Sequence, residues 1–81
     1  MKSMMVHLTK PFDDETKSSS FRRYTVRKVK AGVRVRHTTL HNVLGTSTTV
    51  AVFRDSPTWL TATEWMNECV KEDRANGWIT K

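Results

Sequence analysis

The sequence predicts an α+β fold: an antiparallel sheet of three strands, or four with an N-terminal one, and a single C-terminal helix packed on one face. Three observations carry this. Apolar and polar residues alternate with period two in Tyr24-Thr25-Val26-Arg27 and in Val33-Arg34-Val35-Arg36-His37-Thr38, the mark of strands with one buried side. Between positions 61 and 76 the apolar residues Ala62, Trp65, Met66, Cys69 and Val70 recur instead at three- and four-residue intervals, which gathers them on one side of a helix. Finally, 81 residues of 9.4 kDa allow one domain and one small core, so sheet and helix must share it.

Each element follows from local chemistry. Residues 1–20 read as a strand at Met4 to Leu8 followed by a polar loop from Thr9 to Ser20, which holds Pro11 and a run of three serines. Residues 21–54 form a meander. Its first two strands join at Lys30-Ala31-Gly32, where glycine suits a tight turn, and its third is Thr48 to Phe53, after a loop at Asn42-Val43-Leu44-Gly45. Residues 61–76 form the amphipathic helix. Thr61-Ala62-Thr63-Glu64 fits a capping box, Leu60 and Trp65 a hydrophobic staple, and Gly77 a C-terminal stop. Lys71 and Arg74 complement the helix dipole, and Trp78 and Ile79 are expected to fold back onto the core.

Charge is distributed unevenly. The chain carries 14 Lys and Arg against 8 Asp and Glu, a net charge of +6 and a pI near 10.0. Between Lys17 and Arg54 every charged residue is basic; all the acidic ones lie outside this stretch. If the helix covers Tyr24, Val26, Val33 and Val35, the alternation turns Arg23, Arg27, Arg34 and Arg36 outward together, with Lys28 and Lys30 nearby. Like charges on neighbouring strands repel. A polyanion would offset that cost, and arginine suits bidentate contact with phosphate; a merely solvated basic face is the plainer reading.

The expectation is therefore a non-enzymatic basic module that contacts nucleic-acid phosphates through Arg23, Arg27, Lys28, Lys30, Arg34 and Arg36. Zinc-finger, RNP and KH signatures are absent from the sequence, and the only credible helix carries Glu64, Glu68 and Glu72, which phosphates would repel, so the reading surface would be the sheet. The alternative is a protein-binding inhibitor or adaptor that docks on a host protein such as a nucleic-acid enzyme. It would use the basic face on an acidic patch, or the Glu64, Glu68, Glu72 row on a basic one. In general layout, three antiparallel strands followed by a helix resembles the sheet-type DNA-binding modules of plant transcription factors and some integrase arms. It equally resembles the compact accessory proteins with which bacteriophages block host enzymes.

Other chemistry finds little footing. His37 and His41, four residues apart on a strand, would stand about 13 Å from each other, too far to share an ion; Cys69 falls on the apolar helix side, and Asp13, Asp14 and Glu15 sit in a polar segment where solvation is the simpler role. With three glycines and neither a glycine-flanked serine nor a Cys-His motif, the chain is expected to use no metal, cofactor or small-molecule substrate and to catalyse nothing. Trp65, Trp78 and Tyr24 are read as core, Trp59 as a partly exposed contact, and Phe21 as an aromatic lying near the arginines. A lone cysteine, the lack of an apolar run of about 20 residues and the lack of a signal-peptide pattern predict a cytoplasmic protein.

Overall fold

The computed structural model describes residues 3–15 and 17–80. Their order is β1 (Ser3–Asp13), β2 (Ser18–Val29), β3 (Gly32–Val43), β4 (Thr46–Ser56), α1 (Trp59–Ala75) and β5 (Ile79–Thr80). The strands form one antiparallel sheet in the order β4-β3-β2-β1-β5. The α+β class and the C-terminal helix are as the sequence predicts, but the sheet has five strands rather than three or four.

Two segments differ from expectation for physical reasons. The polar stretch after Leu8 is largely strand: β1 runs on through Pro11 to Asp13, with a register shift against β2 between Lys10 and Asp13. Proline is tolerated there because β1 meets β5 through only Leu8 and Thr9, so its outer side near Pro11 needs no ladder donor. The loop shrinks to a turn in which the Glu15 amide donates to Asp13 Oδ1 at 2.9 Å and Lys17 takes a positive φ of 54°. The expected loop at 42–45 likewise narrows to a two-residue turn, Leu44 and Gly45 at φ 52° and 81°, the primed geometry that matches strand twist. Gly32 is required by proximity, since a Cβ there would stand 2.6 Å from the Ser56 carbonyl oxygen.

The helix begins two residues earlier than its pattern suggested. Thr58, not Thr61, is the N-cap, accepting the Thr61 amide on its hydroxyl at 3.2 Å; the Thr61–Glu64 box does not form, and Leu60, inside the first turn, is exposed. At the other end Gly77 is left-handed (φ 96°), its amide donates to Arg74 O and the Trp78 amide to Asp73 O, the paired bonds of a Schellman stop. That turn lays Trp78 back onto the core, while Ile79 stays exposed beside Thr9.

The core consists of Leu8, Tyr24, Val26, Val33 and Val35 from the sheet with Ala62, Met66 and Trp78 above them, flanked by the half-buried Trp59, Trp65, Cys69 and Val70. Only one side of the sheet is covered. The molecule measures 43 × 23 × 17 Å and exposes 5758 Å², against about 5,000 Å² for a compact monomer of its mass. The excess comes from an open sheet face and a bare edge. Among the described residues no helix is long and apolar enough to cross a membrane.

Candidate functional site

Strand parity decides which basic residues are available to a ligand. Even-numbered residues of β2 and odd-numbered residues of β3 share the covered side, because Tyr24 pairs with His37 and Val26 with Val35. Arg22 is therefore covered. Its Nε donates to Thr39 Oγ1 at 2.9 Å, its Nη1 to Asp73 Oδ1 at 2.5 Å, and its guanidinium lies 4.4 Å from the Trp78 ring centre. Tyr24, buried, donates its hydroxyl to the other Asp73 oxygen at 2.6 Å, and burial with that bond pushes its pKa well up. This arginine ties the helix to the sheet, and its charge is already matched by the Asp73 carboxylate. Arg54, on the same side, lies 5.2 Å from the Trp65 ring centre.

The opposite side gathers the four arginines singled out from the sequence. Arg23, Arg27, Arg34 and Arg36 line one depression of about 320 Å³, with Thr25, Thr38, Ala51 and Phe53 completing its walls. Arg27 stands directly opposite Arg34, and Arg36 opposite Thr25 on one side and Phe53 on the other. Arg34 is bonded to Asp55 through Nε at 2.7 Å and Nη2 at 3.1 Å and stacks on Phe53 at 4.7 Å; the bond to Asp55 raises its pKa and lowers that of the carboxylate. Arg23, Arg27 and Arg36 have no carboxylate partner among the described residues. A second depression of about 280 Å³, lined by His7, Phe21 and Leu40 among others, meets the first at Arg23 and Thr38. The face thus runs from a basic end to an apolar one.

The remaining expected contacts lie elsewhere. Lys28 is exposed but has the parity of the covered side, and Lys30 sits in the β2–β3 turn, so neither lines the arginine depression. Glu64, Glu68 and Glu72 are all exposed on α1, away from the sheet. Tyr24 is core, and Phe21, on the open face, is partly exposed. Sequence reasoning passed over Phe53, 60% exposed between Arg34 and Arg36; its odd position opposite Arg36 was the available signal.

Two other constellations are structural in form. Ser20 Oγ and His41 Nδ1 lie 2.7 Å apart beside a depression of about 650 Å³, and the bond between them ties β2 to β3 where the two residues pair in the ladder. No three His, Cys, Asp or Glu side chains among the described residues come together as a metal site. Burial, with Asp73 and Glu72 nearby, raises the Cys69 pKa, which keeps the thiol protonated at neutral pH.

No family model, curated protein or solved structure matches the chain. The chemistry of the face has to carry the functional argument.

One partly buried group, His37, is expected to make stability pH-dependent. His37 Nδ1 is buried without a hydrogen-bond partner among the described residues, and the ring lies 5.3 Å from that of Tyr24. Burial first, then the Arg22 charge, lower its pKa from 6.5, against a smaller opposing pull from Asp73. The unfolded chain therefore takes up a proton that the folded one refuses, so this part of the stability is complete above pH 6.5 and lost as pH falls below it. The urea midpoint is expected to drop between about pH 7 and pH 5, and His37→Gln to flatten that drop. An equal drop in the variant would assign it to other groups.

Proposed function

We propose that the protein is a nucleic-acid-binding module that grips phosphates with the arginines of its open sheet face. The observation that carries this is the set of Arg23, Arg27 and Arg36, which have no carboxylate partner among the described residues, beside Arg34 on adjacent strands. Cross-strand like charges weaken a sheet, and a bound polyanion reverses that penalty. The exposed Phe53 ring, with Arg34 stacked on it, adds a surface for an unpaired base, so single strands are expected to bind more tightly than duplex.

The test is a fluorescence-anisotropy titration of labelled single-stranded DNA, duplex DNA and RNA across a range of salt. Each phosphate contact contributes about 0.7–0.9 to the log–log salt slope. Arg27→Ala with Arg36→Ala is expected to lower that slope by about 1.4–1.8, and to weaken binding about 15- to 30-fold at roughly 0.15 M salt, taking the electrostatic contribution to vanish near 1 M. Circular dichroism should be unchanged. Unaltered affinity in the double variant, or no binding by the parent at low salt, would overturn the reading.

A further inference from the structure

The open edge of the sheet offers a second surface. Among the described residues β4 has no strand on its outer side, and every residue from Thr46 to Asp55 is exposed. Edge strands that must stay single are usually shortened, charged, kinked or interrupted by proline. β4 has eleven residues, and from Thr46 to Phe53 (Thr-Ser-Thr-Thr-Val-Ala-Val-Phe) it contains no charge, proline or glycine. Four of the ten large apolar side chains exposed among the described residues lie there: Val50 at 50%, Val52 at 45% and Phe53 at 60% on β4 itself, with Leu44 at 76% in the turn before it. The opposite edge is partly closed, since β5 covers β1 at Leu8 and Thr9.

We propose that two copies of this chain pair antiparallel along β4, about a two-fold axis through Ala51, into one ten-stranded sheet. β4 is its own complement in this register. Ala51 is the central residue of Thr46–Ser56, so the full strand overlaps its mate: Val50 faces the Val52 of the second copy, Thr49 its Phe53, and Ala51 its Ala51. β-branched and aromatic cross-strand pairs of this kind stabilise sheets. Arg54 and Asp55 would face Thr48 and Ser47 of the second copy, so no like charges meet. An axis perpendicular to the sheet keeps both open faces on one side, and three inter-strand spacings would put the two β3 strands about 14 Å apart. The two arginine depressions would then form parts of a single face.

Size and charge set the expected strength. An eleven-residue edge is about 37 Å long and a sheet about 10 Å deep, giving roughly 750 Å² buried in total, below the range of stable dimers. Two copies at +6 each also repel. The dimer is therefore weak, and it tightens as salt screens that repulsion, the reverse of the salt effect expected for nucleic-acid binding.

Sedimentation equilibrium without nucleic acid, from about 10 μM to 1 mM protein, tests this. The mass is expected to rise from 9.4 kDa toward twice that value, and further at about 0.5 M than at about 0.05 M salt. Val50→Lys with Val52→Lys should hold the protein at the monomer mass with its circular dichroism intact. As a test of register, Ala51→Cys in a Cys69→Ser background should cross-link under mild oxidation. Ser47→Cys in the same background should not, because the axis places its copies about 27 Å apart. A constant monomer mass, undiminished association of the lysine variant, or equal cross-linking at both positions would overturn the proposal. Association and cross-linking are read without nucleic acid, so their failure is distinct from a failure of the arginine face to bind, which is assayed separately in the parent protein.

Discussion

Replacing Asp73 by alanine is expected to cost about 3–5 kcal/mol, a large part of what holds so small a domain together. The carboxylate sits near the C-terminal end of α1, where the helix dipole disfavours an acid, so its position reflects what it touches. One oxygen accepts from Arg22 at 2.5 Å and the other from the Tyr24 hydroxyl at 2.6 Å, with Asp73 itself 8% exposed. Its removal leaves a largely covered guanidinium without its counter-ion and a buried hydroxyl without its acceptor. A half-satisfied buried network costs more than no network. Asp73→Asn, which keeps acceptor oxygen but loses charge, should cost less, and combining Asp73→Leu with Arg22→Met and Tyr24→Phe should recover much of the loss. Denaturant unfolding of the four proteins decides this; a loss under about 1 kcal/mol for the alanine variant would show that Asp73 is not the tie between helix and sheet.

That cluster also shows where the sequence stops being informative. Tyr24, Val26, Val33 and Val35 announce themselves by alternation, and once they are inward, parity alone sends Arg23, Arg27, Arg34 and Arg36 outward. The same parity puts Arg22 inward with Tyr24, a signal that was present. Its partner was not legible, because Asp73 lies 51 residues away on another element and no local pattern encodes such a pair. Position 73 does extend the three- and four-residue spacing of Met66, Cys69 and Val70, so an acid on the apolar helix side was readable as something needing a partner. β1 beyond Leu8 was hidden by Thr9, Lys10 and Pro11, which do not alternate, and β5 has two residues, too few for any period. The sequence pattern placed the helix start at Thr61, but Thr58 is the cap, accepting the amide three residues on.

Charge reversal on the open face is expected to separate binding from stability. Arg27→Glu with Arg36→Glu lowers the net charge by four, from +6 to +2, and a glutamate at position 27 would stand opposite Arg34, turning a like-charge cross-strand pair into an attractive one. The thermal midpoint should hold or rise while nucleic-acid affinity falls about 100-fold or more at roughly 0.15 M salt. Lys28→Glu with Lys30→Glu makes the same change in net charge away from the depression. If the arginine face is the contact, this control should lose far less affinity; if attraction by overall charge is all that operates, the two variants should weaken equally. Arg34 should respond differently from its neighbours, because Asp55 already occupies its fork and a phosphate would have to displace that carboxylate or share the guanidinium with it. Asp55→Asn should therefore tighten binding while removing the ion pair, so opposite effects on affinity and stability at one position would mark the face as shaped by its ligand rather than by the fold.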